Sequence, residues 1–160
     1  MSSNDSAKLD FKLLLNIFET EVKDDQEIAA KYDADLVIAN DPDADRCAAA
    51  IKDPKTGWRM LRGDELGVVL GESIARNTKS GILANSIVSS SILSKIAAHY
   101  KLDFRETLTG FKWLAKIENL TFGYEEALGY AVDSITVNDK DGISAAISLA
   151  QIATDLAAEG

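Results

Sequence analysis

The order of apolar and polar residues along the chain predicts strands that alternate with helices. Short apolar runs rich in β-branched residues, such as ADLVIAN and GILANSIVS, are typical of buried strands. The segment DELGVVLGESIA has apolar residues at helical spacing behind a predicted N-cap residue, Asp64. Four of these apolar residues share one helical face: Leu66, Val69, Leu70 and Ile74. Such alternation favours an α/β layered fold, with a mostly parallel or mixed sheet flanked by helices.

The same patterns assign the remaining elements. RCAAAIK, DFRETL and LTFGYEE are predicted strands, and GFKWLAKI is a predicted short helix. Segment 8–32 is predicted to be helical because apolar residues recur there at near-helical spacing, at Leu9, Leu13, Ile17 and Ile28. The helix in SSILSKIAAHY is predicted to turn four side chains inward: Ile92, Leu93, Ile96 and Tyr100. The last helix, in DGISAAISLAQIATDLAA, is predicted to be capped by Asp141.

Composition and charge exclude several classes of protein. The 160 residues include 17 basic and 26 acidic side chains, a net charge of -9, which argues against nucleic-acid binding. No apolar run approaches the roughly 20 residues that span a bilayer, so no membrane partner is expected. The N-terminal MSSNDSAKLD lacks the features of a secretory signal, and the single cysteine, Cys47, fits a reducing compartment. A cytoplasmic location is therefore predicted.

The loop ANDPDADR, which follows the predicted strand DLVI, is the first candidate site. Asp41, Asp43 and Asp45 place three carboxylates on alternate residues, and carboxylate oxygens are ligands that Mg²⁺ prefers. Ligands of open α/β sheets bind beyond the carboxyl ends of the strands, where this loop lies. Arg46 next to the carboxylates is suited to hold a phosphate, or else it balances their charge. A Mg²⁺ site is predicted, with a solvated acidic turn as the alternative.

Two other interpretations of this loop differ in strength. An EF-hand beginning at Asp41 needs Gly and Glu where this chain has Arg46 and Lys52, and a strand follows instead of a helix, so that interpretation fails. A phosphatase with an aspartyl nucleophile also begins with two alternating aspartates, here Asp41 and Asp43, and remains an alternative.

Three downstream segments offer further polar groups. In TLTGFKW, Thr109 and Gly110 lie at a strand-to-helix turn, where a hydroxyl and backbone N–H groups can bind a polyol or an anion. FGYEEALGY ends a strand with Glu125 and Glu126, of which one is expected to face a ligand because adjacent strand residues point to opposite faces. Lys140, in NDKDG, is a flexible cation beside a helix start. Each of these is also typical of an ordinary cap or an exposed turn.

Five motifs in this order, ANDPDADR, GDELGVVLG, ETLTGFKW, FGYEEALGY and DKDGISAA, closely resemble the α-D-phosphohexomutase superfamily. Within it the sequence is most similar to the bacterial phosphoglucomutase/phosphomannomutase family, over about residues 33–160. The resemblance implies a four-domain parent enzyme, of which residues 1–60 are the end of the second domain with the metal loop. Residues 61–160 are then the third domain, with the sugar-binding loop. The turn KDPKTGW is where the residues themselves predict a boundary.

The resemblance also implies a role for each candidate residue. Asp41, Asp43 and Asp45 would hold the Mg²⁺ that a catalytic phosphoserine also ligates, and Arg46 would lie by the phosphoryl group. Sugar and phosphate contacts would come from Thr109, Gly110, Glu125 and Lys140. The implied reaction moves phosphate between C1 and C6 of a glucose or mannose phosphate through a sugar bisphosphate.

Two family features are missing from this sequence. No serine stands in a Ser-His-Asn-Pro setting, and nothing after DLAAEG supplies the family's C-terminal phosphate-binding domain. A fragment that needs the other domains of its parent enzyme, and is inactive alone, is therefore expected. A non-catalytic Mg²⁺- or sugar-phosphate-binding module is the alternative from another functional class.

Overall fold

A computed structural model describes residues 13–17, for which only the backbone is considered, 29–31 and 33–159. Residues 29–31 are helical. The strands are β1 Leu13–Ile17, β2 Leu36–Asn40, β3 Cys47–Asp53, β4 Gly57–Met60, β5 Ile82–Ser86, β6 Asp103–Thr107, β7 Leu120–Glu125 and β8 Gly129–Ala131. The helices are α1 Gly63–Asn77, α2 Ile92–Tyr100, α3 Phe111–Leu114 and α4 Gly142–Glu159. None of them is long and apolar enough to span a lipid bilayer.

The first sheet has the strand order β1-β2-β3-β4. β1 is parallel to β2, whereas β2, β3 and β4 are joined as antiparallel neighbours. The prediction of one helix over segment 8–32 is wrong at Leu13–Ile17, which forms β1. A run as short as LLLNI is compatible with both the helical and the strand spacing of apolar residues. Its pairing with β2 makes it a strand. The rest of that prediction, apart from residues 29–31, falls outside the described residues.

The second sheet has the order β6-β5-β7-β8. β5 is parallel to both β6 and β7, and β8 returns antiparallel to β7. The predicted α/β fold with a parallel or mixed sheet and flanking helices is confirmed. β8 was not expected, because its three residues are too few to show a period.

Two predicted details of the helices are wrong. α1 is capped at Arg62, whose N–H donates to Glu65 Oε2 at 2.8 Å, so Asp64 lies inside the first turn and is free to bond elsewhere. Ile92 was expected to face inward but is 46% exposed, because it is the first residue of α2 and has no preceding helical turn to cover with its side chain. The predicted cap of α4 agrees with the structure, since Asp141 Oδ1 accepts the Ile143 N–H at 3.0 Å.

One hydrophobic core connects the two sheets. Large aromatic side chains of the second sheet, Phe122, Tyr124 and Tyr130, are fully buried in it. The first sheet contributes smaller side chains, Ile38 and Ala49 among them, and α4 packs across both. Burying one large apolar side chain stabilises the fold by about 1.5–3 kcal/mol. The shared core therefore holds the ends of β2 and β7, where the candidate residues lie, in one place.

Candidate functional site

The acidic loop, residues 41–46, begins directly after β2, as predicted. Asp41 Oδ1 accepts two backbone N–H groups, those of Asp45 and Arg46, each at 3.1 Å. Ala44 has a positive φ of 56°, which lets the chain reverse inside the loop. At its base, Asn40 Nδ2 donates to the Arg46 carbonyl at 2.7 Å. These bonds curl the loop around the Asp41 carboxylate.

Backbone contacts attach the acidic loop to the far end of the chain. The Gly142 N–H, at the start of α4, donates to the Ala44 carbonyl at 3.1 Å, and the Cys47 N–H donates to the Leu128 carbonyl at 3.1 Å. Arg46 forms a single antiparallel bridge with Gly129. Position 142 requires glycine, since an added Cβ would lie 2.2 Å from the Arg46 carbonyl oxygen.

Lys140 joins the acidic loop through an ion pair between its Nζ and Asp45 Oδ2. The hydrogen bond from Lys140, together with its charge, lowers the pKa of the Asp45 carboxyl below its ordinary value. The lysine stem lies over Gly129, where an added Cβ would be 3.1 Å from Lys140 Cδ. The structure thus brings together two candidate residues that are 95 positions apart in the sequence.

The β7–β8 turn, residues 125–129, carries the predicted Glu125 to the same place. Glu125 is paired with Gly129 across the two strands, and its Oε1 accepts the Gly110 N–H at 2.5 Å. Gly110 has a φ of 113°, a conformation that strongly favours glycine, and Thr109 beside it is exposed. Gly129 is therefore the point where the acidic loop, Lys140 and Glu125 meet.

Glu126 has different partners from Glu125. Its Oε2 accepts the hydroxyls of Ser86 and Ser89, each at 3.0 Å, at the end of β5. Sequence reasoning assigned the sugar contact to Glu125, gave Glu126 no role and missed both serines. The SSS run after a strand was the available signal for Ser89, but serines are also common in ordinary turns.

A second polar group beside it was also missed. Asp64 Oδ1 accepts the Ser90 N–H at 2.6 Å and the Tyr124 hydroxyl at 2.8 Å, which ties the start of α1 to β5 and β7. Burial raises the pKa of Tyr124, so its phenol stays protonated and donates. Asn85 is fully buried there, and its Oδ1 has no hydrogen-bond partner among the described residues.

The acidic loop suits a hard cation in its donor chemistry, although its carboxylates do not surround one point. Among the described residues, no three His, Cys, Asp or Glu side chains are grouped so as to hold a metal ion. Asp41 uses Oδ1 inside the loop, Asp43 is exposed, and Asp45 already receives one cation, the ammonium of Lys140. Three carboxylates within five residues still provide the oxygen ligands that Mg²⁺ prefers. The residues therefore fit the ion chemically.

Three other side chains with reactive or aromatic groups lie in ordinary surroundings. Cys47 is fully buried, and burial raises the pKa of its thiol to about 12, so it is a packing residue. His99 contacts Tyr100 edge-on, with 4.8 Å between ring centroids, on the exposed side of α2. Trp113 is partly exposed on α3, and Lys116 Nζ lies 4.6 Å from its ring centroid.

The sequence is similar to those of known proteins over most of its length. The family model described as "Phosphoglucomutase/phosphomannomutase, alpha/beta/alpha domain III" matches residues 62–158. A probable phosphomannomutase from Haemophilus influenzae is 47% identical, over 84% of this chain and 28% of that protein. A phosphopentomutase from Mus musculus is 40% identical, over 81% of this chain and 24% of that protein. The chain thus spans about a quarter of the length of these curated relatives.

The fold is similar to that of a solved structure. A phosphoglucomutase/phosphomannomutase family protein from Burkholderia thailandensis matches 82% of this chain, and 29% of its own chain, with a TM-score of 0.69. The sequence identity is 17%, so this likeness concerns the arrangement of strands and helices.

Proposed function

Because the chain belongs to the phosphoglucomutase/phosphomannomutase family, we propose that it supplies the metal loop and the sugar-binding loop of a phosphosugar mutase. Membership confirms the resemblance carried by its five motifs. The observation that supports the proposal best is the meeting point at Gly129. There, the acidic loop, Lys140 and Glu125 come together from three separate parts of the chain. A sugar phosphate and its metal require carboxylates to bind the metal, cations to bind the phosphate and an acceptor for the sugar hydroxyls. The acidic loop, Arg46 with Lys140, and Glu125 are the corresponding groups.

The reaction we propose for the parent enzyme interconverts a hexose 1-phosphate and a hexose 6-phosphate. It proceeds through a phosphoserine on another domain and a sugar bisphosphate. Phosphoryl transfer depends mainly on positioning and on neutralising the charge of the phosphoryl oxygens. Asp41, Asp43 and Asp45 would hold Mg²⁺, which supplies part of that neutralisation when bound. Arg46 is exposed next to these carboxylates, and its guanidinium would hold the phosphoryl group by two parallel hydrogen bonds.

Sugar recognition is assigned to Glu125 and its neighbours. The Gly110 N–H donates to Oε1 of Glu125. Its other oxygen, Oε2, is left to accept hydrogen bonds from vicinal sugar hydroxyls. Thr109 is exposed beside this pair and offers a hydroxyl. The stem of Lys140 lies over Gly129, next to Glu125, and its ammonium reaches the acidic loop at Asp45. From this position the ammonium would bind a substrate phosphate.

The domain division remains part of the proposal. Residues 1–60 would end the second domain, and residues 61–160 would form the third. The phosphoserine and a further phosphate-binding loop would come from other domains of the parent enzyme, so the 160-residue chain by itself would bind substrate without turning it over. We place this chemistry in the cytoplasm.

The test is a titration of the 160-residue chain with glucose 6-phosphate and mannose 6-phosphate, followed by NMR, with and without Mg²⁺. We expect shifts at Gly110, Gly129 and Arg46, and weaker binding by Glu125→Gln. Glu106→Gln, an exposed glutamate on β6, is the matched control and should bind as the unmodified chain does. No shifts at these amides at millimolar ligand would contradict the binding proposal.

A turnover assay separates the three functional classes. With a sugar bisphosphate activator present, we expect no mutase activity from the chain alone, and measurable mutase turnover would refute the half-site proposal. Phosphate-ester hydrolysis that Asp41→Asn abolishes would favour the aspartyl phosphatase instead. Ligand binding by the chain, with no mutase activity in a parent enzyme that contains it, would favour the binding module.

A further inference from the structure

The two adjacent glutamates of the β7–β8 turn have separate tasks. We propose that Glu126 is a positioning residue, which fixes the orientation of Glu125 through the hydroxyls of Ser86 and Ser89. The inference deepens the proposed function and rests on it for the part in which Glu125 binds sugar hydroxyls. The positioning itself can be measured without any ligand.

The Glu126 carboxylate is held by the hydroxyls of two serines. Ser86 Oγ and Ser89 Oγ each lie 3.0 Å from Glu126 Oε2 and 2.8 Å from one another. Two hydroxyls provide two protons for three contacts, and an ionised carboxylate only accepts. When both serines donate to Glu126, their oxygens lie 2.8 Å apart without a proton between them. That approach is tolerated because one charged oxygen attracts both hydroxyls.

The backbone of Glu126 is also held in place. Its N–H donates to Ser89 Oγ at 3.2 Å, so the same serine holds the main chain and the side chain of this residue. On the other side, Gly63 approaches so closely that an added Cβ would lie 1.8 Å from the Glu126 carbonyl oxygen. The backbone of Glu126 is therefore held on both sides, at its N–H by Ser89 and at its carbonyl by the close approach of Gly63.

The fixed backbone of Glu126 adjoins Glu125, the last residue of β7. Glu125 is one residue earlier, so the direction in which its side chain leaves β7 follows from the orientation of the Glu126 peptide. Its Oε1 reaches the Gly110 N–H at 2.5 Å, a contact between a charged acceptor and a rigid donor that depends strongly on small displacements. Ser86 is fully buried, so the support for this geometry comes from the interior of the second sheet.

The Gly110 amide provides a direct spectroscopic readout. A short hydrogen bond to a carboxylate shifts its proton resonance downfield and slows its exchange with solvent. In Glu126→Ala we expect that resonance to move upfield and its exchange to accelerate by about tenfold or more. Glu126→Gln keeps an acceptor of the same length and should restore most of both effects. Glu106→Ala, on the exposed side of β6, is the matched control and should change neither.

Ligand binding then measures the consequence of the positioning. The dissociation constant for glucose 6-phosphate should rise about tenfold in Glu126→Ala and less than about twofold in Glu126→Gln and Glu106→Ala. Ser89→Ala, which removes one hydroxyl and leaves the buried Ser86 in place, should give an intermediate loss. If Glu126→Ala fails to fold by circular dichroism, Ser89→Ala decides the matter with the same Gly110 readout.

The outcomes separate this inference from the proposed function. An unchanged Gly110 resonance in a folded Glu126→Ala or Ser89→Ala chain would overturn the positioning role, whatever happens to ligand binding. A displaced Gly110 resonance in a chain whose unmodified form binds no sugar phosphate would uphold the positioning and contradict the sugar site. Loss of binding with a displaced Gly110 resonance, restored in Glu126→Gln, supports both.

Discussion

The functional loops of the two sheets are supported in different ways. The loops of the second sheet are held from within it, because the Gly110 N–H donates to Glu125 and two serine hydroxyls donate to Glu126, those of Ser86 at the end of β5 and Ser89 just after it. The acidic loop of the first sheet is closed by its own Asp41 but is held in place from outside, by Leu128, Gly129, Lys140 and Gly142. We therefore expect the proposed metal loop to depend on the proposed sugar-binding region for its position, and the reverse dependence to be weak.

The largest expected effect comes from disrupting the junction at Gly142, where the start of α4 packs against Asn40, Ala44 and Arg46 of the first sheet and its acidic loop. In Gly142→Ala the new Cβ would lie 2.2 Å from the Arg46 carbonyl oxygen and 2.5 Å from Asn40 Nδ2, so backbone has to move. We expect the free energy of unfolding to fall by about 3 kcal/mol. Helix propensity alone would make the alanine variant more stable by about 0.5–1 kcal/mol. A loss of stability would therefore come from the steric clash. Chemical denaturation measures it.

Gly129→Ala is the comparison for that variant. Its added Cβ would meet Lys140 Cδ at 3.1 Å, and a flexible side chain can move away. We expect less than about 1 kcal/mol of destabilisation. Equal stability of Gly142→Ala and the unmodified chain would show that the junction does not hold the acidic loop.

An intermediate effect is expected inside the second sheet, at the buried tyrosines. Tyr124→Phe removes a hydroxyl that donates to the Asp64 carboxylate at 2.8 Å, and we expect a loss of about 2 kcal/mol. Tyr130→Phe removes a bond to the neutral Gly63 carbonyl at 3.1 Å, which should cost about 1 kcal/mol. Thermal or chemical unfolding of both variants tests the order. The NMR signals of the acidic loop should stay in place, and their displacement in Tyr124→Phe would contradict the one-way dependence.

The smallest effect is expected at the ion pair between the acidic loop and Lys140. Since Lys140 lowers the pKa of Asp45, the pair stabilises the fold above the unfolded-state value of about 4 and ceases to do so as the pH falls through the lower folded-state value. Lys140→Met should therefore be less stable near neutral pH, by less than about 1 kcal/mol because Asp45 is partly exposed.

That difference should disappear as the pH falls through the lowered folded-state pKa of Asp45, and unfolding curves from neutral pH down into that acidic range measure it. Glu65, Asp53 and Asp133 also have lowered pKa values, which are unchanged in the variant and cancel in the difference. A difference that is constant down to the lowest pH would assign the effect of Lys140 to packing on Gly129 instead.

Local patterns were enough to predict the elements that carry the site. The runs DLVI and LTFGY formed the strands β2 and β7, and the acidic loop begins where β2 ends. Local patterns failed where pairing partners decide, as at β1, whose sequence fits a helix equally well, and at β8, which is too short to show a period. Asp64 was misassigned because a carboxylate before an apolar run resembles a cap, whereas its partners, Ser90 and Tyr124, are distant in sequence.

The candidate site shows the same limit. Residue types predicted which side chains could bind a metal or a sugar, but not that Glu126 is tied to Ser86 and Ser89. Nor could they predict that Lys140 reaches Asp45, since that contact depends on how α4 packs across both sheets. The roles of Asp41, Asp43, Asp45, Arg46, Thr109, Gly110, Glu125 and Lys140 stay predictions until they are tested.

The ion pair between Asp45 and Lys140, with the bond from Gly142 to Ala44, has a consequence for the order of assembly. A ribosome makes the acidic loop 95 residues before it makes Lys140, so the loop emerges well before the groups that anchor it exist. Contacts of such long sequence separation form late, after shorter-range structure. During synthesis the aspartates are therefore exposed to solvent and to free cations until the last helix is in place.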